Sequence, residues 1–106
     1  MKEGDPVSRL KIRDIDTALL VYYENPEIGN KEIIDLFGPM SSATVSKLKQ
    51  NVRKKMIELE IKPFKAYTVH TKTAFEVWGI DVDDLEKRRT KLMKLGLYPN
   101  RKESTP

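Results

Sequence analysis

The densest chemistry in this sequence lies between Ser41 and Lys55, in the run SSATVSKLKQNVRKK. It brings together small hydroxyl side chains, two carboxamides and five cations. Residues 41–55 hold five basic and no acidic side chains, whereas residues 1–40 hold five basic and eight acidic ones. Small polar residues at a helix start let the backbone come close to a polar ligand. Carboxamides and ammonium groups can read the edges of bases, and clustered cations bind phosphates. The positive charge is thus focused on one segment, and a polyanion would meet a local field there.

The pattern of apolar residues makes this segment a helix. Val45, Leu48, Val52, Met56 and Leu59 recur at steps of three and four, so they form one buried stripe. Ser42, Ala43, Ser46, Lys47 and Gln50 then fall on the opposite face, the set expected to meet base edges. Gln50 or Asn51 suits adenine, Lys47 suits guanine, and Ala43 and Thr44 suit a thymine methyl. Ser41, Lys49, Arg53, Lys54 and Lys55 are expected at phosphates, Ser41 with the free amides of the helix start. Ser41 or Ser42 caps this helix, which is expected to end near Ile61, ahead of Pro63.

The flanking elements must position that helix. Asp14 caps a first helix over IDTALLVYYEN, with Ile15, Ala18, Leu19 and Tyr22 on one face, ended by Asn25-Pro26. Pro26 to Gly29 reads as a turn. Asn30 caps KEIIDLF, with Ile33, Ile34 and Phe37 inward. Gly38 in a left-handed conformation ends it, and Met40 tucks inward. Thr71 caps a short helix, KTAFEVWG, with Ala74, Phe75, Val77 and Trp78 as its apolar set. Asp81 caps the last helix, VDDLEKRRTKLMKL, with Val82, Leu85, Leu92 and Leu95 inward and Gly96 at its end. Arg9–Arg13 and Lys65–Thr71 alternate in a strand-like way and are candidates for a two-stranded ribbon. The expectation is a mainly α fold of about five helices, with that ribbon as a candidate addition. Residues 1–8 form a flexible arm, 9–98 a single domain and 99–106 a disordered tail.

At this point the residues resemble the bacterial and phage helix-turn-helix DNA-binding family. The resemblance covers Ile15 to Arg53, with the motif at about 30–55. Ile33 matches the apolar residue inside the first motif helix, Phe37 the one before the turn, and Gly38 the turn glycine. Met40, Val45 and Leu48 fill the following apolar positions, with Pro39 as an extra turn residue. The string SSATVSKLK is similar to the start of many reading helices. Two departures from the pattern are Ile34 or Asp35, where the family often has alanine, and the longer turn. The resemblance implies a transcriptional regulator of a bacterium or phage that binds double-stranded DNA as a homodimer. Two other readings are a helical adaptor that docks an acidic protein, and an accessory protein that bends DNA in recombination.

Other features read as structural. The acids at 81–86 and the bases Lys87 to Lys94 complement the dipole of the last helix. Arg88, Arg89 and Lys91 are a lesser candidate for a second phosphate surface. The acidic cluster fits no metal-loop spacing, and no metal or cofactor is expected. Phe75 and Trp78 at helical spacing read as core, not as base-stacking platforms. Of Tyr22 and Tyr23, one is core and the other lies at an interface. His70 is an ordinary surface or ribbon residue. The sequence carries no nucleophile motif with a partnered base and no phosphate-binding glycine loop, so the expectation is a protein that is not an enzyme. The chain has 106 residues and no cysteine, which suits one domain in a reducing compartment. No apolar run reaches the length of a membrane span, so the expected place is the cytoplasm, with no membrane partner.

Overall fold

The computed structural model describes residues 11–96. The expected arm at 1–8 and tail at 99–106 lie outside the described residues. Five helices follow in order: α1 (Ile15–Glu24), α2 (Asn30–Phe37), α3 (Ser42–Glu58), α4 (Thr71–Val77) and α5 (Val82–Lys94). Two short strands, β1 (Glu27–Ile28) and β2 (Val69–His70), pair antiparallel with Glu27 opposite His70 and Ile28 opposite Val69. The fold is mainly α with a small ribbon, as expected.

The ribbon differs in its partner. β2 falls inside the segment read as strand-like, but it pairs with Glu27–Ile28, which the sequence placed in a turn. Residues 11–13 form no strand. The Arg13 N–H is instead taken by the Leu36 carbonyl at the end of α2, at 2.8 Å. Ile28 and Val69 are both fully buried, so the pairing places two β-branched side chains in the core. Arg9–Arg13 offers only Ile12 for that purpose among its described residues.

Caps explain most of the boundaries. Asp14, Ser41 and Asp81 each accept the N–H three residues on, from Thr17, Thr44 and Asp84. Asn30, expected as a cap, is the first residue of α2. Gly29 holds the cap position and its N–H goes to Glu32 Oε1 at 2.8 Å. Thr71 likewise begins α4 rather than capping it. Its buried hydroxyl donates to the Asn25 carbonyl and its N–H to that of Pro26, which closes the ribbon against the end of α1. Gly38 ends α2 at φ +100°, a backbone conformation that side chains with a Cβ resist.

One core joins all five helices. Ala18, Val21, Ile33, Leu36, Val45, Leu48, Val52, Met56, Phe75, Trp78 and Leu85 are buried in it. Trp78 meets Phe37 edge-on with ring centroids 5.5 Å apart, and Phe75 meets Tyr22 at 5.0 Å. These two residues are therefore core, and neither offers a face to a base. Helix α3 packs chiefly on α4 and β2, with α2 along its start, while α5 packs on α1. No helix among the described residues is long and apolar enough to cross a membrane.

Candidate nucleic-acid interface

The buried stripe of α3 is Val45, Leu48, Val52 and Met56. Leu59, read as its fifth member, is exposed because the helix stops at Glu58. Glu60 adopts φ +59°, and its N–H and that of Ile61 return to the Ile57 and Met56 carbonyls. This pair of bonds is the left-handed stop that glycine usually provides, here made with glutamate.

Opposite the stripe, Ser42, Ala43, Ser46, Lys47, Gln50 and Lys54 are all exposed. Steps of three and four residues place Ala43, Lys47, Gln50 and Lys54 in one row along the helix. No described segment lies over that row. At its head, Ser41 Oγ accepts from the Thr44 N–H at 3.1 Å and lies 2.9 Å from the Thr44 hydroxyl. The amides of Ser42 and Ala43 belong to the first turn, where no intrahelical acceptor exists. The five residues expected at base edges thus share one open face, and Lys54 continues it. Asn51 and Thr44 are half-buried at its margin.

The remaining cations of α3 are placed differently. Lys49 is only 8 % exposed, and its Nζ donates to the Tyr67 carbonyl at 3.1 Å. Burial pushes its pKa below that of an ordinary lysine, and the neighbouring Arg53 charge pushes it the same way. Arg53 Nη2 donates to the Ala66 carbonyl at 2.9 Å. Lys55 is exposed and lies 3.5 Å from Glu58 Oε1. Charge alone groups Lys49 and Arg53 with Lys54 and Lys55. The structure separates them: the first two face the 62–68 segment, the other two face solvent.

That segment carries residues the sequence reading left out. Glu27 reaches across from β1 to accept the Phe64 and Lys65 N–H groups and the Thr68 hydroxyl. Partial burial opposes its ionisation, but the Thr68 hydroxyl and the two N–H groups outweigh that and hold its pKa below the usual carboxylate range. The aromatic rings of the segment point outward, with Phe64 87 % and Tyr67 79 % exposed. A signal was present in the sequence, since lysine and aromatic residues alternate in KPFKAY, but it lay outside any periodic element.

Two members of the second cationic candidate, Arg88 and Arg89, are engaged in ion pairs, and the third, Lys91, is exposed. Arg89 Nε is 2.8 Å from Asp16 Oδ1 on α1, and Arg88 Nε is 2.8 Å from Asp84 Oδ2. The Arg89 guanidinium ties α5 to α1, whereas the Arg88 pair lies within α5. His70 sits in β2 with its Nδ1 2.7 Å from the Thr73 hydroxyl. No group of three or more His, Asp or Glu among the described residues could hold a metal ion. Neither a family model, nor a curated protein, nor a solved structure matches this chain.

Proposed function

We propose that this protein binds double-stranded DNA, with α3 as the reading helix and α2 as the first helix of a helix-turn-helix, in the role of a bacterial or phage transcriptional regulator. The observation that carries the reading is the open row on α3. A 17-residue helix presents small polar residues, a carboxamide and lysines on one uncovered face, with Val45, Leu48, Val52 and Met56 inside the core. A helix of that kind fits a major groove, which is wide enough to admit it. Ser42, Ala43, Ser46, Lys47 and Gln50 then read base edges, while Ser41, Lys54 and Lys55 hold phosphates. One such helix covers only a few base pairs, so the reading includes a homodimer on a two-fold site.

Salt-titrated binding to a labelled duplex of random sequence tests it. Affinity falls steeply between about 50 mM and 200 mM salt. Replacing Lys54 and Lys55 by alanine weakens all sequences alike and flattens the log–log salt slope by about 2. Selection from randomised duplexes yields a motif that changes in Ser46→Ala and Gln50→Ala. A protein that ignores duplex DNA at low salt is instead the adaptor for an acidic protein. A protein that binds but selects no motif is the DNA-bending accessory.

A further inference from the structure

We propose that the 62–67 segment is a second DNA-contacting element, an arm that grips the duplex backbone beside the groove occupied by α3, and that Lys49 and Arg53 are positioning residues for it. This rests on the DNA-binding reading above. Phe64, Tyr67 and the nearby Ile57, which is 76 % exposed, are the most exposed large hydrophobic residues among those described. Two aromatic rings in water forgo the burial that such side chains normally gain.

The backbone beneath them is not loose. Glu27 accepts the N–H groups of Phe64 and Lys65, Lys49 donates to the Tyr67 carbonyl, and Arg53 donates to that of Ala66. The segment is thus clasped from two sides while its rings stay outward. Lys49 and Arg53 are one helical turn apart, on the edge of α3 that adjoins Ser46. The arm therefore runs alongside the open row rather than across it.

Charge identifies the occupant. Between residues 47 and 67 there are seven basic and two acidic side chains, and one of the two acids, Glu58, already lies against Lys55. Lys62 and Lys65 alternate with Phe64 and Tyr67 along the arm. A nucleic-acid backbone offers the complementary alternation of phosphates and apolar sugar faces. An acidic groove on a protein would match the lysines but not the regular spacing of rings between them.

The test uses the full chain and a labelled random-sequence duplex of about 30 base pairs, long enough to extend past one reading helix. Lys62→Ala with Lys65→Ala flattens the salt slope by about 2. Phe64→Ala with Tyr67→Ala weakens binding roughly tenfold at every salt concentration and leaves the slope unchanged. Lys49→Met lowers affinity in the native background but adds nothing once all four arm residues are alanine, the coupling expected of a positioning residue. All of these arm positions are exposed, and an unchanged urea midpoint for the arm variants confirms the fold. Arm variants that bind within twofold of the native protein, while Lys54→Ala with Lys55→Ala flattens the slope, overturn the arm and leave the helix reading standing. Arm variants that change the sedimenting mass instead make this patch a contact between copies, which also overturns it. Native protein with no salt-dependent duplex binding overturns both.

Discussion

Tyr23 shows how one neighbour sets a residue's chemistry. Its ring is largely exposed on α1, yet its hydroxyl donates to Glu86 Oε2 on α5. That hydrogen bond, with lesser help from partial desolvation and the carboxylate charge, raises the phenol to a pKa of about 12. The folded state therefore holds this proton where the unfolded chain has lost it. The Tyr23–Glu86 hydrogen bond contributes in full below about pH 10, and its contribution is lost as pH rises from there to about 12. Spectrophotometric titration of the native protein against Tyr23→Phe isolates a phenol that ionises near pH 12. Glu86→Gln moves it down toward 10; a difference spectrum that titrates near pH 10 in the native protein would show the bond to be absent in solution. In the sequence, one of the two adjacent tyrosines reads as core and the other as an interface residue. Tyr22 is half-buried against Phe75 and Tyr23 faces outward. The partner, Glu86, was not legible, because it lies 63 residues away and nothing local encodes that distance.

Helix ends carry the same lesson at the scale of elements. Three of the residues expected as N-caps, Asp14, Ser41 and Asp81, are caps, because a side chain bonding three residues on is a local event. The end of α3 was misplaced because its signal is a conformation and not a residue type. Glu60 stands at φ +59° where Gly79 stands at φ +74° after α4, with matching return bonds to the carbonyls behind them. Glu60→Gly is expected to stabilise the fold by roughly 0.5–1 kcal/mol, since it removes the left-handed cost of a Cβ and part of that gain is offset by backbone entropy. Gly38→Ala is expected to do the reverse, at about 1–2 kcal/mol, because φ there is +100°. Urea unfolding of the two variants in parallel measures both signs; two shifts in the same direction would contradict the argument. The ribbon was half legible for a similar reason. The composition of residues 65–71 marks a strand, but its partner depends on which distant segment buries a β-branched residue at the right place, and Ile28 does so. Lys49 follows this pattern as well: its charge placed it with the phosphate contacts, and only the return of the 62–68 segment buries it.

At the scale of the whole molecule, the proposed DNA-binding reading requires a surface through which two copies could bring their α3 helices to one duplex. Helix α3 packs on α4, β2 and α2, whereas α5 packs on α1, so the open row and the α1–α5 pair belong to different parts of the surface. Leu20 and Tyr23 on α1, with Met93 and Leu95 at the end of α5, are exposed. A two-fold contact through these residues leaves α3 free on each copy. Burying a leucine-sized side chain stabilises such a contact by about 1.5–3 kcal/mol, and an isologous interface counts each residue twice. The described body measures 44 × 29 × 24 Å. A two-fold site of the proposed kind demands reading helices about 34 Å apart, one duplex turn, a span within reach of two bodies of this length. On that proposal, native protein at about 100 µM, a concentration at which a micromolar contact is occupied, is expected to sediment at twice its 12.3 kDa chain mass. Leu20→Glu with Met93→Glu is expected to sediment as single chains with the same helical content, and to lose preference for a two-fold site over one half-site. A native protein that stays a single chain at that concentration removes the α1–α5 contact.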